Sequence, residues 1–258
     1  MLEESPQAFA QALLTSLNFK PPIDVEAVAQ ALQLDIRHVN SRAYDGAMFP
    51  FRYRAGGIVT VNGNAERGRR RFTLAHEIGH YVLPSKASAA ACSLRGVGAW
   101  GHQKTRGERD ADRFAVELLL PAGPVRSMVS AKGLTTETVE EVKKVFDVSL
   151  AAAAYRTVEF VEGESAVVVA IGGIVKHYHP SPRWRYRIRT NCAVGKYTAA
   201  GSGERCGVFY LSEWVREADP EDKVWEETLY AYSPTVSLLS VLERDDSFDS
   251  LDTTEIIF

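Results

Sequence analysis

The stretch Arg71-Phe-Thr-Leu-Ala-His-Glu-Ile-Gly-His-Tyr-Val-Leu83 constrains this chain more than any other. Its histidines, His76 and His80, stand four residues apart, a spacing that puts both on one face of a helix. The neighbours Phe72, Leu74, Ala75, Ile78, Val82 and Leu83 are apolar. Such a helix belongs in a core, and its polar side chains serve a site rather than solvent. It can run from Glu66 to Val82, where Pro84 stops it. Two imidazoles side by side reach one metal ion. Glu77, directly after His76, points to the flank, where it meets a water on that metal. The competing reading is a chance match in which the histidines are a satisfied core pair. A third ligand discriminates between the two.

Glu108-Arg-Asp-Ala-Asp-Arg-Phe-Ala-Val-Glu-Leu-Leu-Leu-Pro121 offers that ligand. The segment reads as a helix with Ala111, Phe114, Ala115, Leu118 and Leu119 as its apolar stripe. Glu108 and Asp112 are again four apart and share a face. Two His, one Glu and an open position for water make a catalytic zinc site. Asp112 can accept a hydrogen bond from the outer nitrogen of a ligand His and so fix its tautomer. Alone, Glu108 reads equally as a solvated carboxylate near a helix start. Asp110 competes as a ligand but faces elsewhere on the helix.

These two segments, R-F-T-L-A-H-E-I-G-H and E-R-D-A-D-R-F-A-V-E-L-L-L-P, resemble the signatures of the ImmA/IrrE family of metallo-endopeptidases. In that family H-E-x-x-H follows R-F-T-x-A, and E-x-x-A-N/D-x-F-A-x-E-L-L-x-P supplies the third ligand from its first Glu. The resemblance spans roughly residues 23 to 160. It implies that His76, His80 and Glu108 hold the metal and that Glu77 is the catalytic base. It further implies a cytoplasmic protease that cuts helix-turn-helix repressors and thereby switches on stress-response or mobile-element genes. It says little about the chain after Val161. Zinc suits the ligand set; manganese remains open, since metal availability also decides occupancy.

The rest of the chain reads as α+β. Helices are expected at Pro6–Leu17 and at Asp24–Leu32, the latter capped by Asp24. Short strands are expected at 35–39, 46–51 and 57–62. They fit a zincin-like plan, in which a substrate adds to the sheet edge at Gly46–Phe51. Residues 86–106 form a long link between the site helices, a length that usually carries function. His102 in this link is a candidate oxyanion stabiliser, and Tyr81 is a weaker one. Helices follow at 124–130, 135–146 and 150–160, the last two in helix-turn-helix outline. The final helix has one Arg and one Glu, so packing suits it better than a DNA groove.

Beyond Val161, a hairpin at 165–178 turns around Gly172-Gly173, and strands are expected at 208–211, 224–232 and 236–242. In Pro180–Arg189, four arginines alternate with Trp184, Tyr186 and Ile188. That is either a strand with one basic face or a stacking surface for nucleic acid. Gly201–Gly207 lacks phosphate-loop spacing and reads as a turn. The acidic end, 245–255, reads as a mobile tail. The expected organisation is a metallopeptidase domain over 1–122, a helix-turn-helix-like segment over 123–160, and a β-rich domain over 161–258. That last domain is expected to govern recognition of substrate or signal.

Composition narrows the classes. The net charge of −3, with both signs mixed, leaves no whole-chain footprint for nucleic acid. No apolar run is long enough to span a membrane, and Met-Leu-Glu-Glu lacks a signal peptide's basic start. Cys92, Cys192 and Cys206 are odd in number and widely spaced, as expected of reduced thiols in a cytoplasm. The partner that the family resemblance implies is a protein substrate, and direct DNA binding is not expected from this charge balance. The alternative class is a DNA-binding or ligand-sensing regulator with a non-catalytic metal site. It draws on the helix-turn-helix outline and the Arg-rich stretch. Against it, structural zinc sites usually close with four Cys-rich ligands, and no cysteine has ligand spacing near the His pair.

Overall fold

The computed structural model of the chain describes residues 5–18, 20–84, 92–93, 105–191, 205–230 and 235–242. It is a mixed α+β structure, with seven α-helices and two sheets among the described residues. The chain divides into two compact units. One comprises 1–123 with 144–148, the other 124–143 with 149–258. Among the described residues no helix is long and apolar enough to cross a membrane.

In the first unit, α1 (Pro6–Leu17) starts at Ser5, whose hydroxyl accepts from the Ala8 amide, with proline at the first position. Proline fits there because that N–H has no helical partner. Asp24 caps α2 (Val25–Ala31) through the Ala27 amide. Strands β1 (Leu34–Val39), β2 (Tyr44–Pro50) and β3 (Gly57–Asn62) follow. With the two-residue β4 (Cys92–Ser93), they form a sheet in the order β1-β3-β2-β4. β1 and β3 are parallel, and β2 is antiparallel to both β3 and β4. Residues alternate along β3, so Val59 and Val61 are buried while Ile58 and Thr60 are half-buried. The buried set meets Leu74, Ala75 and Ile78 of α3 (Arg67–Val82) and Phe114, Ala115 and Leu118 of α4 (Arg106–Leu119) in one core. Burial of this apolar stripe holds the two site helices on the sheet.

Where the chain passes from one unit to the other, α5 (Ala122–Lys132) and α6 (Thr136–Phe146) precede a tight turn at Asp147, which takes a left-handed φ of 53°. Ser149 then caps α7 (Leu150–Val158) through the Ala152 amide. α7 buries Ala153, Ala154, Thr157 and Val158. Its single arginine, Arg156, is buried too, bonded to Glu159 at 2.6 Å and stacked over the Phe160 ring. Strands β5 (Ser165–Ile171), β6 (Ile174–Pro180), β7 (Arg205–Tyr210), β8 (Lys223–Tyr230) and β9 (Thr235–Val241) form a fully antiparallel sheet. Its order is β6-β5-β9-β8-β7.

The stretch Pro180–Arg189 departs from the strand expected of it. Past β6 it forms only an isolated bridge, Ile188 to Val215. The Trp184 indole N–H donates to the Tyr186 carbonyl at 2.7 Å, and both rings pack into the core of this unit. Arg189 is tied to the carbonyls of Ser212 and Val215, and Arg185 to Glu164. Alternating aromatic and basic residues imitate a strand pattern, but Pro180 and Pro182 cannot donate to a ladder.

Candidate metal centre

The site begins with the register of α3. Arg69 donates to the buried Asp45 of β2, fixing the helix against the strand. The Arg70 guanidinium takes up the carbonyls of Gly63 and Ala65, just ahead of the helix. Residues Thr73 to Gly79 are then buried without interruption, His76 and Glu77 completely.

The facing helix α4 is started by Thr105, whose hydroxyl accepts from the Glu108 amide. It lies close to α3 because Gly79 has no side chain. A Cβ there would stand 3.1 Å from Phe114 Cδ1, 3.2 Å from Ala111 Cα and 3.3 Å from the Ala111 carbonyl oxygen. Ala111 lies between Glu108 and Asp112 in sequence, so the contact that brings the helices together also aims both carboxylates at the histidines. Further along α4, the buried Glu117 bonds Gln11 of α1 and the Ala122 amide, which fixes the far end of the helix.

The donor atoms converge. His76 Nε2 and His80 Nε2 are 3.0 Å apart, and each is 3.3 Å from one oxygen of Glu108. His76, His80 and Glu108 are the described residues whose ligand atoms gather within 4.8 Å of one another. Around a tetrahedral ion with ligands at ~2.05 Å, neighbouring donors lie about 3.3 Å apart. The separations, 3.0 Å between the imidazole nitrogens and 3.3 Å from each to a different oxygen of Glu108, come close to that spacing, and two imidazoles with one carboxylate are borderline donors suited to zinc. The residues present therefore fit a divalent metal. On the far side of the ring, His76 Nδ1 is 3.0 Å from Asp112 Oδ1. With the Nδ1 proton given to Asp112, the Nε2 lone pair is the one that faces the cluster.

Electrostatics agree with a site built for a cation. Burial alone would lower the His76 pKa. Hydrogen bonds to Asp112 and Glu108, with the nearby Glu77 charge, outweigh it and raise the pKa to about 9. The same contacts, from His76 first and then His80, hold the Glu108 carboxyl far below its usual range against its partial burial. Three carboxylates around two imidazoles thus retain a proton when no metal is there to take its place.

Glu77 lies beside this cluster, under β2. A Cβ on Gly46 would be 3.1 Å from Glu77 Oε1, 3.0 Å from the Thr60 carbonyl and 2.5 Å from Thr73 Cγ2. The strand backbone passes directly over the carboxylate, and only glycine permits that approach. Among the described residues, the outer edge of β2 is paired with β4 only at Tyr44 and Gly46.

The residues singled out in the sequence are thus distributed unevenly. His76, Glu77, His80, Glu108 and Asp112 come together. Asp110 stays outside and pairs with Arg106 and Arg113. Tyr81 points toward the β2–β3 turn, where its hydroxyl accepts from the Gly56 amide at 2.8 Å. His102 lies outside the described residues, as do Cys192, most of the 86–106 link, the start of the 201–207 stretch and the acidic end. Gly46 and Gly79 went unrecognised as site-forming residues. A lone glycine inside a strand or helix pattern was the available signal for each.

The profile of the IrrE N-terminal-like domain, a peptidase family, matches residues 29–158, which is 130 of the 258 residues. No curated protein matches the chain. Among solved structures, a Mycobacterium tuberculosis transcriptional regulator is similar in fold, with a TM-score of 0.58 at 10% identity. The match covers 92% of this chain and 75% of that one.

Proposed function

Because the chain belongs to the IrrE N-terminal-like family of peptidases, we propose that it is a metal-dependent endopeptidase acting on a helix-turn-helix transcriptional repressor. The observation that carries this reading is the convergence of His76, His80 and Glu108 beside the fully buried Glu77. His76, His80 and Glu108 hold the ion, zinc by preference and manganese where that metal prevails. When bound, the metal supplies a Lewis acid that polarises the scissile carbonyl and acidifies water. Glu77 takes the proton of the attacking water and returns it to the leaving amine. Asp112 holds the His76 tautomer. The small sheet and site helices act as a zincin-like unit over 1–122, in which the β2 edge receives the substrate as an added strand. Residues 123–160 form the helix-turn-helix-like segment, and residues 161–258 select the substrate or the signal. The setting is the cytoplasm, and the outcome is derepression of stress-response or mobile-element genes.

A regulator that binds DNA through α7 and keeps a non-catalytic metal is the weaker alternative. Arg156 of α7 is buried against Glu159 and Phe160. Among the described residues the metal cluster offers three protein donors, where a closed structural site has four.

The test uses the purified full chain, freed of metal and then given one equivalent of zinc or manganese. It is incubated with helix-turn-helix repressors encoded near its gene. One repressor is expected to be cut at a discrete position; chelator abolishes cutting and metal restores it. Intact repressors under all metal conditions contradict the proposal.

A further inference from the structure

The end of β2 and the turn that joins it to β3 carry Phe49-Pro-Phe-Arg-Tyr-Arg54. Phe49 is 47% exposed and Tyr53 87% exposed, the latter the most solvent-open large apolar side chain among the described residues. Arg52 lies over the Tyr53 ring at 5.2 Å and Arg54 over the Phe51 ring at 4.2 Å. Among the described residues neither arginine pairs with a carboxylate. Two uncompensated cations, each set on an aromatic face, make a surface that is both basic and apolar.

This tip is held in place. The Gly56 amide donates to the Tyr81 hydroxyl at 2.8 Å, and Tyr81 is the residue after the ligand His80. Gly56 takes a left-handed φ of 90°, and its carbonyl accepts from the Phe51 amide. The strand that passes over Glu77 at Gly46 ends four residues later at Pro50, where the tip begins. At ~3.3 Å per residue, the end of the strand lies about 13 Å from the point where it passes over the catalytic carboxylate. A substrate running along β2 meets the tip about four or five residues from its cut bond.

We propose that this tip is a substrate-docking site, and that it takes an acidic, aromatic-bearing segment of the polypeptide substrate about four or five residues from the scissile bond. The inference rests on the peptidase reading for the purpose of the contact, but not for the contact itself. Arg52 and Arg54 meet side-chain carboxylates; Phe49 and Tyr53 meet an apolar neighbour. Nucleic acid fits less well, because tracking a phosphate backbone takes an extended row of cations. The tip offers two, on a chain whose net charge is −3.

Two fluorescein-labelled peptides serve as probes. Each has the same neutral centre, flanked on both sides by Glu-Asp-Phe-Glu in one and by Gln-Asn-Phe-Gln in the other. Binding is read by anisotropy on the metal-loaded full chain carrying Glu77→Gln, so the peptide stays whole. Cutting is read separately on the parent chain. The acidic peptide is expected to bind about five- to tenfold tighter, with the gap closing as salt rises. Arg52→Glu with Arg54→Glu should abolish or invert the preference while the neutral peptide changes less than about twofold. Arg52→Gln with Arg54→Gln, a milder change at the same exposed positions, should bring the preference to about one. Equal affinity of the two peptides for the parent surface overturns the proposal, as does a preference that survives charge reversal. So does a dT15 oligonucleotide that binds more tightly than the acidic peptide and is lost on reversal. Failure of the parent chain to cut either peptide bears on the peptidase reading and leaves the binding comparison intact.

Discussion

Gly79 of α3 faces the backbone of Ala111 in α4 so closely that a Cβ on Gly79 would lie 3.2 Å from the Ala111 Cα. His80 follows the first residue, and Glu108 and Asp112 flank the second. The helix–helix contact and the metal-donor spacing are therefore one feature. Gly79→Ala gains helix propensity worth about 0.5–1 kcal/mol. It also forces α4 outward at a cost of roughly 1–3 kcal/mol, since backbone cannot swing aside as a side chain can. A small net loss in Tm and a larger loss in metal affinity are expected, the latter read by titration against a chelator of known affinity. Unchanged affinity would mean that the helix spacing does not set the donor geometry.

Gly46→Ala acts from the strand side. Its Cβ would stand 2.5 Å from the buried, β-branched Thr73 and 3.1 Å from Glu77 Oε1. The expected cost is roughly 1–3 kcal/mol of stability, seen as a lower denaturation midpoint, with slower cleavage because Glu77 is displaced. A variant as stable and as fast as the parent would remove β2 from the catalytic surroundings.

Asp112 Oδ1 meets His76 on the ring nitrogen that faces away from the donor cluster. Asp112→Ala should weaken metal binding on the order of 10–100-fold. Dialysis against a mild chelator, followed by metal analysis, reads this directly. Full retention of metal would show that the Asp112 contact is incidental.

The pH dependence separates the metal-free and metal-bound chains. In the folded, metal-free chain the His76 pKa is raised to about 9. Its contribution to stability is complete below an unfolded-state pKa of about 6.5 and is lost as pH rises through about 9. The depressed Glu108 acts in the opposite sense: its contribution is present above about pH 4.5 and is lost on acidification. The chelated chain should therefore lose thermal stability from about pH 6.5 to 9, while metal affinity rises over that range as the His76 proton becomes easier to displace. Proton release on metal binding, measured by calorimetry in buffers of different ionisation enthalpy, checks the second half. Metal binding without proton release contradicts it.

Much of this was legible in the residues, and the physical reasons differ by element. α3 and α4 combine a helical apolar period with polar residues at four-residue spacing, so their faces could be assigned without a structure. The cap at Asp24 was equally readable, because a short polar side chain ahead of an apolar period suits the first free amides of a helix. β4 has two residues and no period to detect. The parallel pairing of β1 with β3 is a tertiary choice that neither strand encodes locally. Pro180–Arg189 carried a strand period, but prolines and the Trp184 indole bond prevailed over it. Gly46 and Gly79 act by what they lack, and that becomes visible only when the opposing backbone is in place.

The role of Glu77 stands or falls on one comparison. Glu77→Gln keeps the shape of a side chain that donates nothing to the His76–His80–Glu108 cluster and removes its capacity to carry a proton. The full-length variant should bind one zinc or manganese ion per chain with near-parental affinity. It should leave the repressor uncut, with kcat/KM lower by at least about two orders of magnitude. Parental metal content with parental cleavage would contradict the assignment of Glu77 as the proton carrier.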